Sequence, residues 1–186
     1  ESVTSVTNYL ANHDQNRLFR KLGEKGILDD ELYTRAKLGA LILMTAVGVP
    51  MIWMGEEFGE HVVMSEQSNK INWTLLENDP NKNLFNYYKT LIGLRTSNAA
   101  FQSTNIEFFH EDKAAGVLCF HRFDDAGNSV AVVLNLSDDD LQNYHVPNFP
   151  INGSCREWTK DHEVEITGHL FTADLSRREG LIFTTT

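Results

Sequence analysis

Val49-Pro50-Met51-Ile52-Trp53-Met54, followed at once by Gly55-Glu56-Glu57-Phe58-Gly59, is the stretch that decides the fold. Its first six residues are almost unbroken in apolar character. That pattern fits a strand buried on both faces, as in a parallel sheet, because a strand with one wet face alternates instead. Pro50 is tolerated near a strand start. The glycine-bracketed acidic pair then turns the chain sharply.

Upstream, residues 3–10 are rich in β-branched and aromatic side chains and predict another strand. It runs into the polar cluster Ala11-Asn12-His13-Asp14-Gln15-Asn16-Arg17, and Gly23 and Gly26 mark a loop. Asp29 or Asp30 is placed to N-cap a helix with Leu32, Ala36, Leu38, Ala40, Leu41 and Met44 on its apolar face. Gly48 is the expected stop. Strand, loop, helix, strand and loop make a βαβ unit. Downstream lies a polar loop around residues 65–70, then Ile71-Asn72-Trp73. A second helix follows over residues 81–97, where Leu84, Tyr87, Tyr88, Leu91, Ile92 and Arg95 recur at helical spacing.

From Ser103 the texture changes to short alternating runs separated by turns. Strands are predicted at residues 106–109, 116–123, 129–136, 143–146, 155–159, 163–166, 169–175 and 180–185. Asp125-Ala126-Gly127-Asn128 and Ser137-Asp138-Asp139-Asp140 are the clearest turns. So many short strands in about 80 residues indicate an antiparallel sandwich. The fold class is therefore α/β followed by all-β, with residues 1–102 in the first domain and 103–186 in the second.

The 186 residues are 41% hydrophobic and 23% charged, as in an ordinary soluble globular protein. The formal net charge of −10 repels phosphate backbones and anionic lipid, so neither nucleic acid nor membrane is an expected partner. Neutral sugars remain compatible. The longest apolar stretch, residues 38–54, is broken by Gly48 and Pro50 and is a poor membrane span. The first residue is Glu1, with no basic-then-apolar leader behind it, so the compartment is left open with a leaning to the cytoplasm. Cys119 and Cys155 lie outside any CxxC spacing. Two buried free thiols are expected, with a single disulfide as the alternative. No metal and no cofactor is expected. His110, His121, His145, His162 and His169 lack paired ligand spacing, and Asp138-Asp139-Asp140 lacks the glycine and terminal glutamate of a calcium loop.

Asn12-His13-Asp14 is the polar cluster with a chemical context. It ends a strand of a βα series, the position at which loops converge and catalytic side chains lie in (β/α) barrels. A carboxylate beside an imidazole can hold sugar hydroxyls and stabilise a developing positive charge. Taken alone, the tripeptide also fits a loop in which Asp14 caps the next turn and His13 is a surface residue. Glu56 and Glu57 are adjacent on a turn and are read as loop structure. Trp53 reads as core, and Trp158 as the best surface stacking residue of the β domain.

Val6-Thr7-Asn8-Tyr9-Leu10-Ala11-Asn12-His13-Asp14-Gln15-Asn16-Arg17 resembles the fourth conserved region of the α-amylase family, where a hydrophobic strand ends in Asn-His-Asp. The 49–59 stretch resembles that family's last barrel strand and its loop. Ile71-Asn72-Trp73 and the helix ending Leu94-Arg95 resemble its closing helix, and residues 129–136 and 176–183 its C-terminal β domain. The resemblance runs through nearly the whole chain, in order. It implies the last two βα units of a (β/α)8 barrel followed by an antiparallel β-sandwich. It implies a retaining glycoside hydrolase acting on α-glucosidic bonds in starch-like glucans or malto-oligosaccharides. Asp14 matches the transition-state-stabilising carboxylate, His13 the imidazole that binds the same sugar, and Arg17 an arginine lining the substrate side. The nucleophile and the acid/base lie upstream in the family, so the chain by itself is expected to be inactive. The alternatives are a glucan branching or transglucosylating enzyme and a non-catalytic β domain that binds glucan or supports the barrel. Gln15 favours the hydrolase.

Overall fold

The parallel pairing expected of the 49–54 run is present. In the computed structural model, which describes residues 6–63 and 70–185, strand β1 (Thr7–Asn8) lies parallel to β2 (Val49–Pro50). The N–H of Val49 donates to Val6 O at 2.9 Å and that of Met51 to Asn8 O at 2.8 Å. Pro50, which has no N–H, falls between the two donors and removes nothing from the ladder. The expected strand over 3–10 is described only from residue 6.

The chain divides into two compact units, residues 1–94 and 95–186. In the first, β1 leads to helix α1 (Leu18–Glu24), then α2 (Asp30–Thr45), then β2. Helix α1 was not anticipated. Gly23, read as loop, is its penultimate residue, and Gly26 with φ +79° takes the left-handed position after its end. Helix α2 matches its pattern, with Ala36, Leu38, Ala40, Leu41 and Met44 buried. Asp29 is its N-cap residue but makes no side-chain capping hydrogen bond, and Asp30 is the first helical residue. A 3-10 turn at Glu56–Phe58 follows β2. A second at Trp73–Glu77 precedes helix α3 (Asp79–Ser97), which buries Asn81, Leu84, Tyr88, Leu91 and Leu94.

One expectation for this unit is corrected. The 49–54 run is not buried on both faces: Val49 is 53% and Met54 55% exposed. Among the described residues, β1 is the single strand beside β2. A parallel strand is buried through by neighbours on both sides and by helices on its faces. Here one such neighbour is present.

All eight strands expected in the second half form: β3 (Ile106–Asp112), β4 (Val117–Phe123), β5 (Ser129–Asn135), β6 (Leu141–Val146), β7 (Gly153–Glu157), β8 (His162–Ile166), β9 (Phe171–Leu175) and β10 (Gly180–Thr185). They make a six-stranded antiparallel sheet of order β3-β4-β5-β10-β7-β8 and a two-stranded sheet β6-β9. The two sheets share a core of Cys119, Ala131, Val133, Val146, Phe149, Cys155, Phe171, Leu175, Leu181 and Phe183, among others. Phe149 is its hub, with ring centroids 5.7 Å from Phe109, 5.4 Å from Phe171 and 5.2 Å from Phe183. Each such pair adds about 0.5–1.5 kcal/mol beyond the area it buries.

Both cysteines are buried free thiols of this core. Burial pushes the Cys119 thiol up to about 12 and the Cys155 thiol up to about 11. Thiolate, the reactive form, is therefore scarce at pH 8. We expect a colorimetric disulfide reagent to label neither cysteine in the native chain and both in denaturant. Fast labelling of either one in the native chain would contradict the core placement.

Among the described residues, no helix is long and apolar enough to cross a membrane, and no group of three or more His, Cys, Asp or Glu side chains is placed to hold a metal ion.

Candidate active site

The loop that leaves β1 is anchored by Ala11, which is fully buried. Asn12 then closes an Asx turn: its Oδ1 accepts from Asp14 N at 2.9 Å and its carbonyl from Gln15 N at 3.3 Å. Asn12, not Asp14, does the capping, so the Asp14 carboxylate is left free to point outward. The side chains of His13 and Asp14 are 71% and 73% exposed, with His13 Nε2 3.3 Å from Asp14 Oδ2. An exposed pair of this kind contributes little to stability. Its value lies in holding an imidazole and a carboxylate side by side at the C-terminal end of the strand.

The loop after β2 supplies the neighbouring wall. The Trp53 ring lies 6.2 Å from that of His13, centroid to centroid. Trp53 was read as core; the half-buried ring borders the site instead. Arg17 is 4% exposed, and its Nε donates to Met54 O at 2.9 Å. It ties the loop after β1 to the loop after β2, with its guanidinium turned away from solvent. Lys21 adds a second tie within the first loop, donating to Gln15 Oε1 at 2.6 Å and to Leu10 O at 3.3 Å.

Two glycines make the second loop possible. Gly55 and Gly59 bracket the 3-10 turn with φ of +87° and +77°. A Cβ on Gly55 would sit 2.7 Å from Glu60 Cβ, and one on Gly59 2.8 Å from the Phe19 ring. Both the left-handed backbone and the close approach demand glycine.

Three glutamates follow in this loop, and pattern reading missed what they do. Glu60, 1% exposed, accepts from the N–H groups of His61 (2.8 Å), Val62 (3.0 Å) and Asn72 (2.6 Å). Burial opposes its ionisation, but those donors and the charge of Arg17 outweigh burial and hold its pKa below the usual carboxylate value. Glu56, 3% exposed, has one weak partner, the N–H of Trp53 at 3.4 Å, while its Oε1 has none. Burial pushes its pKa up to about 7. Glu57 also buries an oxygen without a partner. No periodicity distinguishes a buried glutamate from a solvated one. The only sequence signal was the glycine bracket, which shows that the backbone there is special.

In the β domain, Trp158 is not a free stacking platform. The Arg156 guanidinium sits 5.3 Å from its ring, and its Nε1 donates to Thr184 Oγ1 at 2.9 Å. The histidines are joined to strand and loop partners: His110 to Tyr144, His121 to Ser129, His145 to Thr172 and His169 to Phe149 O. Asp138 accepts from Arg178 Nε and Asp140 from Arg177 N, so the aspartate run is a turn held by the 176–179 segment.

Residues 1–78 match the family model described as the α-amylase catalytic domain. This segment is part of an α-amylase-family catalytic domain. The chain is 29% identical over 136 residues to neopullulanase 2 of Thermoactinomyces vulgaris, covering 73% of this chain and 22% of that protein. It is 30% identical over 130 residues to a cyclomaltodextrinase of Bacillus sp, covering 69% and 21%. The chain thus spans about a fifth of the length of the curated relatives it matches. The α-amylase of Geobacillus thermoleovorans, solved complexed with acarbose, superposes with a TM-score of 0.75 at 20% identity, over 97% of this chain and 39% of that one. That likeness speaks for the fold. With it, the barrel-end strands and the antiparallel β domain read from sequence are in place.

Proposed function

We propose that these 186 residues work within a longer retaining glycoside hydrolase that cleaves α-glucosidic bonds in malto-oligosaccharides or starch-like glucans. Residues 1–102 supply the last two βα units of its (β/α)8 barrel and 103–186 its C-terminal β domain. The observation that carries the reading is the pairing of His13 with Asp14, both open to solvent in the loop after β1 and bordered by Trp53 from the loop after β2. Asp14 stabilises the positive charge that develops on the sugar ring, and His13 binds hydroxyls of the same sugar. Arg17, expected to line the substrate side, acts by fixing the loop that presents them. The names of the curated relatives, neopullulanase and cyclomaltodextrinase, support α-glucan chemistry and add cyclic malto-oligosaccharides to the candidate substrates.

A retaining reaction needs a nucleophile and an acid/base carboxylate about 5–5.5 Å apart. In this proposal both come from the longer protein, and the 186-residue chain alone has no hydrolase activity. The test is hydrolysis of maltoheptaose and of a cyclomaltodextrin by the protein at its native length. Asp14→Asn removes preorganised charge and should lower kcat on the order of a hundredfold or more, with the fold unchanged by circular dichroism. An Asp14→Asn enzyme of unchanged kcat would remove Asp14 from the mechanism. Absence of α-glucan hydrolysis in the native-length protein would remove the function.

A further inference from the structure

A cavity of about 370 Å³ lies among helix α1, the start of α2, the 3-10 turn at Trp73–Glu77 and the start of α3. Its described walls all come from the first unit, and none is His13, Asp14, Arg17 or Trp53. The volume is in the usual range of small-molecule sites. Its floor is fixed. The Phe19 ring meets that of Tyr33 edge-on, with centroids 5.0 Å apart, and occupies the space where Gly59 has no Cβ. Tyr33 Oη donates to Asn81 Oδ1 at 3.1 Å, and Asn81 Nδ2 donates to Phe58 O at 2.8 Å. With Asn81 only 4% exposed, Tyr33 is held in one geometry and its oxygen can still accept.

The other polar walls mix donors with acceptors. Arg20 Nε donates to Glu24 Oε1 at 2.7 Å, so the two charges offset each other. Among the described residues, their other polar atoms have no hydrogen-bond partner. His61 Nδ1 lies 3.4 Å from Gly59 O, which only accepts, so in the neutral ring Nδ1 carries the proton and Nε2 is an acceptor. The Asn78 side-chain amide makes no hydrogen bond with a described residue. A phosphate or carboxylate needs donors alone, and an ammonium needs acceptors alone. A hydroxyl donates and accepts, so a ring that carries several of them can use guanidinium, carboxylate, imidazole and amide together. We propose that this cavity binds a glucosyl unit of an α-glucan, with its C–H face on Phe19 and Leu75 and its hydroxyls towards Arg20, Glu24, His61 and Asn78. The choice of glucan rests on the reading that the protein acts on α-glucosidic bonds; the choice of a neutral polyol rests on the cavity.

The test is the structure of the native-length protein soaked with maltotriose, together with calorimetric titration of the 186-residue chain. The short chain holds all the described walls and, without a nucleophile and an acid/base, turns nothing over. The expected result is a sugar ring in this cavity. Asn78→Leu and Arg20→Ala each weaken maltotriose binding on the order of tenfold, with circular dichroism unchanged. Exposed Glu77→Gln, which lines no part of the cavity, leaves it as it was. If the short chain does not fold, the native-length structure decides alone. Maltotriose bound only at the Asn12-His13-Asp14 loop, or a cavity filled by the protein's own side chains, overturns the inference and leaves the proposed function standing. Inorganic phosphate bound in place of maltotriose overturns the ligand class. A sugar in the cavity of a protein that hydrolyses no α-glucan upholds the site and removes the function.

Discussion

Arg122→Met is expected to destabilise the β domain by about 3–5 kcal/mol, because it leaves several buried carbonyls without a donor at about 1–3 kcal/mol each. Arg122 is fully buried on β4. Its Nε donates to Asn105 O at 3.0 Å, and Nη2 to the carbonyls of Ser103, Ala100 and Phe101. The Phe101 ring lies 5.7 Å from the guanidinium. One side chain thus gathers four carbonyls of residues 100–105, the segment that leads into β3. Burial first, and then the charge of Arg95, lower its pKa to about 10, so it still carries its charge at neutral pH. Methionine keeps most of the apolar stem but has no donor, and the carbonyls lose their partner in a water-poor site. Against a total stability of about 5–15 kcal/mol, such a loss is large. For a domain of this size it corresponds to a fall in Tm of roughly 12–40 °C. Trp158, the one tryptophan of residues 95–186, reports the transition by fluorescence. Arg122→Lys should recover part of the loss, because one ammonium cannot span four carbonyls. A Tm within two or three degrees of the parent for Arg122→Met would show that the guanidinium is dispensable.

The contrast between Arg122 and its surroundings shows how far sequence reading reaches. The strands around it were legible because alternation and turns are local signals. Val-Ala-Val-Val-Leu at 130–134 and the Asp125-Ala126-Gly127-Asn128 turn could be read without knowing what they pack against. The βαβ order was legible for the same reason, through the apolar face of α2 and the run ending at Met54. A buried arginine, or a glutamate such as Glu60, leaves no periodic trace. Its environment depends on residues distant in sequence, Ser103 among them for the arginine and Asn72 for Glu60. The site was half legible. Asn12-His13-Asp14 could be placed at a strand end, but the turn that frees Asp14 depends on Asn12 accepting from Asp14 N, and nothing in the letters says which residue caps which. Helix α1 was missed because Gly23 was taken as a break, although it lies within one residue of the helix end, where a glycine costs little.

Glu56 and Glu60 are expected to pull the stability of the first unit in opposite directions with pH, although four positions separate them. Burial raises the Glu56 pKa from near 4.5 to about 7. The folded state then binds a proton that the unfolded state has released, so stability falls as pH rises from about 4.5 towards 7. Above that the penalty on the ionised form is complete, on the order of 3 kcal/mol. Glu60 is the reverse case. Its folded pKa lies below the ordinary value, so its contribution is present above about 4.5 and is lost as pH falls through the lower folded value. Glu56→Gln removes a buried charge that has one weak partner, and should stabilise the 186-residue chain by about 3 kcal/mol at pH 8 and hardly at all at pH 4.5. Glu60→Gln keeps the shape but brings an amide N–H₂ against a backbone N–H, and loses charge-assisted bonds. It should cost about 2–4 kcal/mol at pH 7. Urea unfolding between pH 4 and 8, followed through Trp53 and Trp73, separates the two. The parent's decline between about pH 4.5 and 7 should vanish in Glu56→Gln, and its acid decline should shrink in Glu60→Gln. If Glu56→Gln instead loses stability at pH 8, the carboxylate has a cationic partner in solution. The nearest candidates are Arg17 and Lys21, whose charges already act on it. The loop after β2 would then be held to the Asn12-His13-Asp14 loop by an ion pair and not by the Arg17 bond to Met54 O alone.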